Sequence, residues 1–129
     1  MTNKELKPIL IELLWRVYDA CIMAPYVSTD GVIPISNILY LLKDKHSDVT
    51  KYRLRSCLKE LMSEGLVEYR SVGMPAVEAG YEYVELVCEA GPPVNGYALT
   101  KAGFELDICK KLETESNEFF RKLCEELSD

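Results

Sequence analysis

The 129-residue sequence predicts a mainly α-helical domain with a small β-hairpin. Three patterns predict it. Apolar residues recur at steps of three and four through the first sixty positions and again after Thr100. Between those blocks, "LVEYRSV" and "YEYVELVC" alternate and are rich in β-formers. Glycine and proline clusters separate the blocks rather than interrupt them.

The first helix carries Leu6, Ile9, Leu10, Leu13, Leu14, Val17, Tyr18, Cys21 and Ile22 on one wide stripe. Thr2 and Glu5 have capping-box spacing, while Pro8 moves the expected first turn toward Lys7. The helix ends before Pro25, and "APYVSTDG" reads as a loop. "VIPI" is a short extended piece, because Pro34 drives its predecessor toward β geometry. Ser36 is the expected N-cap of a short second helix with Ile38, Leu39 and Leu42 inside, ending near Lys45.

After the turn "HSD", a third helix begins between Ser47 and Thr50. Leu54, Cys57, Leu58, Leu61 and Met62 line its inner face, and Gly65 stops it as a left-handed cap. "LVEYRSV" is a strand, "GMPAVEAG" a turn, and "YEYVELVC" a second strand. "EAGPPVNG" breaks that strand, and "YAL" is a third extended stretch. Thr100 caps a last helix bearing Phe104, Ile108, Leu112, Phe119, Phe120, Leu123 and Leu127. The polar run "ETESNE" marks where that helix bends or divides.

Composition narrows the function classes. Hydrophobic residues make up 48% and charged residues 28%, which fits a folded soluble chain and excludes disorder. No apolar run nears the roughly 20 residues of a membrane span, and the amino terminus lacks a cleavable signal pattern. The five cysteines are scattered without a CxxC pair, so small core thiols in a reducing cytoplasm are expected. His46 is the only histidine. There is no HExxH, P-loop, Rossmann fingerprint, Cys/His metal spacing or nucleophile elbow, so neither catalysis nor a cofactor is predicted.

Charge is distributed unevenly. The chain is net −6, yet residues 51–59 hold four cations and no anion. Negative charge elsewhere repels nucleic acid at long range without forbidding a local basic face.

Two motifs bracket the hairpin. "LKELMSEGLVEYR" resembles the end of a winged-helix recognition helix running into its first wing strand. "GYALTKAGFEL" resembles the close of a wing passing into the last helix. In this order they resemble the winged helix-turn-helix DNA-binding superfamily over residues 32–106, with flanking helices similar to those of small MarR-like or PadR-like bacterial regulators. The resemblance implies one winged-helix domain over 1–129. Its core would be 32–100 with a wing at 66–99, flanked by helices at 1–24 and 100–128. It implies a transcriptional regulator that reads double-stranded DNA with a recognition helix at about 48–64 in the major groove.

On that helix Tyr52, Ser56, Lys59 and Ser63 oppose the buried side, with Arg53 and Arg55 on the flanks and Lys51 at the leading turn. Lys51, Tyr52, Arg53, Arg55, Ser56 and Lys59 are therefore the expected DNA contacts, with Lys43 and Lys45 near the flanking backbone and Arg70 at the wing base. The other reading of the same residues is a solvated helix face. Glu60 and Glu64 would restrict contact to the first two turns.

The wing departs from the pattern. Residues 71–100 contain no Lys or Arg but contain Glu78, Glu82, Glu85 and Glu89. Tyr69, Tyr81, Tyr83 and Tyr97 also lie in this hairpin, so the rival function is a protein-interaction module using an acidic, tyrosine-bearing wing. Leu13, Val17, Ile108, Leu112, Phe119, Phe120, Leu123 and Leu127 would either build a homodimer or pack within one chain. An effector would sit in a cleft between the first and last helices.

Overall fold

The computed structural model describes residues 1–23, 31–73 and 93–128. Helix α1 spans Asn3–Met23, α2 Ile35–Leu42 and α3 Lys51–Ser63. Strands β1 (Val67–Val72) and β2 (Val94–Leu99) follow, then a one-turn α4 (Lys101–Phe104) and a long α5 (Asp107–Leu127). Among the described residues the fold is mainly helical with one two-stranded antiparallel sheet. The loop expected at 24–30 lies outside the described residues, as do most of the turn "GMPAVEAG" and the whole strand "YEYVELVC".

Helix α1 starts at Asn3, not near Lys7. The Thr2 hydroxyl accepts from the Glu5 amide at 3.3 Å, and the Thr2 carbonyl accepts from Leu6 at 3.0 Å. Pro8 is carried inside the helix, where its missing N–H forgoes one backbone bond and its ring faces the Lys4 carbonyl. Helix α2 has Pro34 rather than Ser36 at its N-cap, with no side-chain cap, and it ends at Leu42 before reaching Lys45.

Helix α3 is capped at both ends. Thr50 accepts from the Arg53 amide at 3.1 Å. At the other end Gly65 adopts φ 76°, the left-handed region that a side chain disfavours. Gly65 N donates to the Met62 carbonyl and Leu66 N to the Leu61 carbonyl, both at 3.0 Å. This paired closure satisfies two orphan carbonyls and turns the chain straight into β1.

Strand β1 pairs with β2 from Val67↔Leu99 to Val72↔Val94. The β2 strand therefore begins at Val94, three residues before "YAL". Ile33 bridges the other side of β2, exchanging bonds of 3.0 and 2.9 Å with Tyr97. That crossing explains Gly96, where an added Cβ would lie 2.3 Å from the Ile33 carbonyl oxygen.

The core joins α1, α2, α3, the sheet and the start of α5. Leu6, Leu10, Ile38, Leu54, Leu58 and Leu61 are fully enclosed there. Burying side chains of this size is the dominant favourable term in folding. Met62 departs from the expected inner face and is 40% exposed. On the wheel it lies about 90° from the centre of the Leu54–Cys57–Leu58–Leu61 stripe, beside the sheet rather than over the core. The break after Thr100 falls at Glu105–Leu106, not at "ETESNE". Thr100 caps only the short α4, accepting from Gly103 N at 3.1 Å and donating to the Gly65 carbonyl at 2.6 Å.

Candidate nucleic-acid interface

Helix α3 presents three different sides. Its inner stripe is fixed by the core. One flank meets the first turns of α1, and the other faces the sheet. Between the flanks runs an outer ridge of Tyr52, Lys59 and Ser63, bordered on the sheet side by Lys51 and Arg55, all exposed.

The α1 flank is occupied. Asn3 Oδ1 accepts from Arg53 Nη1 at 3.2 Å, while Asn3 Nδ2 donates to Ser56 Oγ at 3.2 Å and also to the Glu60 carboxylate. The Cys57 thiol lies 3.8 Å from the Asn3 carbonyl oxygen, at the limit of a sulfur hydrogen bond. One turn on, Lys7 pairs with Glu64. The hydrogen bond that Lys7 donates to the Glu64 carboxylate raises the Lys7 pKa above its ordinary value. Burial pushes the Cys57 thiol up to about 11.

This arrangement sorts the expected contacts. Lys51, Tyr52, Arg55 and Lys59 are exposed, Tyr52 at 81%. Among the described residues none of the three cations is held in an ion pair. Lys43 and Lys45 are exposed beyond the end of α2. Arg53 is exposed but steered by Asn3, and Ser56 is half-buried beneath the same amide. Arg70 is half-buried on the sheet, its Nε 3.3 Å from Glu68 Oε1. Strand alternation sets Arg70 on the opposite face from Tyr69. Glu60 of α3 and Glu64 at its C-cap are both directed to α1. Asn3 was not among the expected site residues, since a lone amide in a first turn carries no local signal.

The residues expected to pair two chains also separate. Leu13 and Val17 are half-buried along a groove of about 520 Å³ between α1 and the end of α2. Ile108 is half-buried and Leu112 is buried in the core of its own chain. From Glu113 to Ser128, α5 and its C-cap are exposed except for half-buried Ser116. Phe119 is 64% and Leu127 78% exposed there, with Phe120 and Leu123 partly open on the same side. A cleft of about 390 Å³ lies between α1 and α5, lined by Trp15, Tyr18, Phe104 and Glu113.

No family model matches the chain, and no curated protein or solved structure matches it either. Among the described residues no helix is long and apolar enough to cross a membrane, and no cluster of His, Cys, Asp or Glu could hold a metal ion.

Proposed function

We propose that this chain is a winged-helix transcriptional regulator that binds double-stranded DNA through the outer ridge of α3. One observation carries the reading. Lys51, Arg55 and Lys59 stand exposed beside Tyr52 with no ion pair among the described residues, while Glu60 of the same helix and Glu64 at its C-cap are engaged by α1. The local field of the ridge is therefore cationic on an anionic protein, which is what a phosphate backbone requires. Arg55 can bond guanine at a matched site and phosphate elsewhere, and Lys51, Lys59 and Tyr52 suit phosphate.

The protein works as a homodimer in this reading. The uncovered apolar side of α5, from Phe119 to Leu127, supports it. A two-fold pair would set two α3 helices against half-sites about one DNA turn apart. Cys57 and Cys109 are buried free thiols, which supports a cytoplasmic location. The acidic wing, without Lys or Arg from 71 to 100, favours a second reading in which the hairpin docks on a protein.

Fluorescence anisotropy with a random-sequence duplex tests the first reading. Phosphate contacts from the three cations Lys51, Arg55 and Lys59 of one copy predict that affinity for such a duplex falls roughly fortyfold between about 50 and 200 mM salt. Lys51→Glu with Arg55→Glu and Lys59→Glu should abolish binding. A parent protein that ignores the duplex at low salt, or a triple variant that binds as well as the parent, ends this reading and leaves the protein-docking one.

A further inference from the structure

The sheet-facing flank of α3 is not closed. Between α3 and the strands lies a groove of about 470 Å³. Arg55 and Met62 form its helix wall, and Tyr69, Asn95 and Tyr97 its sheet wall. Tyr69 and Tyr97 are cross-strand partners, with ring centroids 5.1 Å apart in an edge contact. Tyr69 remains 54% exposed although it sits beside the core-forming end of the strand.

We infer that this groove binds one unpaired nucleotide. Three kinds of group are gathered there, and each answers one part of that ligand. An exposed aromatic ring offers a stacking surface to any base. The Asn95 amide offers a donor and an acceptor to a base edge. The Arg55 guanidinium suits a phosphate. The volume falls within the range of small-ligand sites. Arg55 belongs both to this groove and to the cationic ridge, so a strand lying on α3 has a charged path into it. The same chemistry could come from a base extruded from DNA or from a free nucleotide. This inference rests on the reading of α3 as a DNA-facing helix, and its test is separate.

The test compares three labelled probes against the full-length chain by anisotropy: a matched duplex, the same duplex with one central unpaired thymidine, and a short oligothymidylate. The bulged duplex should bind about tenfold tighter than the matched one, the gain typical of stacking one base. Tyr69→Ala should erase that gain and leave matched-duplex affinity unchanged, whereas Tyr69→Phe should keep it. Asn95→Ala should reduce the gain as well, and serves if Tyr69→Ala lowers the melting temperature. Suppression of the gain by thymidine monophosphate would assign the site to a free nucleotide, and a gain that withstands it would assign it to a strand. Oligothymidylate binding that depends on Tyr69, with no duplex binding, would uphold the groove while ending the duplex reading. Equal affinity for matched and bulged probes, a gain indifferent to Tyr69, or displacement of the probe by a proline-rich peptide alone would overturn the inference.

Discussion

Arg53 on α3 donates to the side chain of Asn3 on α1 at 3.2 Å, across 50 positions of sequence. The same amide holds Ser56 and Glu60. One short polar residue thus fixes how the first turn of α1 sits against the helix proposed to read DNA.

Asn3→Ala should lower stability by about 1 kcal/mol, because its hydrogen bonds are partly solvent-exposed and individually modest. Urea unfolding measures this. The same substitution releases the Glu60 carboxylate toward the ridge, so duplex affinity should fall as well. An unchanged affinity would mean that Glu60 stays clear of the DNA.

Gly65 and Gly96 should respond differently to alanine. At Gly65 nothing lies within 4 Å of an added Cβ, so the cost is the left-handed backbone alone, roughly 1 kcal/mol. At Gly96 the added atom would meet the Ile33 carbonyl at 2.3 Å, so the Ile33–Tyr97 bridge must open. Thermal unfolding should show a clearly larger loss for Gly96→Ala.

Thr100→Ala should cost about 1–2 kcal/mol by removing a helix cap. The lost hydroxyl also leaves the Gly65 carbonyl without its 2.6 Å partner. Thr100→Ser keeps the oxygen and should retain most of the stability, again read by urea unfolding.

The Cys57 pKa is raised by burial to about 11, so the thiol stays neutral at ordinary pH. Iodoacetamide at a pH of about 8.5 should label exposed Cys124 and spare Cys57 and Cys109, as peptide mass mapping would show. For an acid raised on folding, the stabilising effect is complete below the unfolded pKa. It is lost as pH climbs toward the folded value. Stability should therefore decline from about pH 9 to 11, and less steeply in Cys57→Ala.

Much of α3 was legible locally. Its inner stripe, its start near Thr50 and its glycine stop depend on residues within one or two turns of each other, so period and capping chemistry reveal them. The β1 strand and the extended Ile33 segment were equally readable. The true start of β2 was not, since Asn95 and Gly96 look like turn residues until Ile33 is placed beside them.

By itself the sequence determined the helical blocks, the hairpin's first strand and a cation-rich stretch at 51–59 on an acidic chain. Only tertiary structure decided which charges on α3 stay available. Asn3 and Lys7 take one flank because the core brings α1 alongside α3, and contacts between residues about fifty apart leave no periodic trace. Packing likewise buried Leu112 and left Phe119 to Leu127 uncovered on one continuous stripe. Helical periodicity records which side chains share a face, but only neighbouring elements settle how far along that face the cover extends.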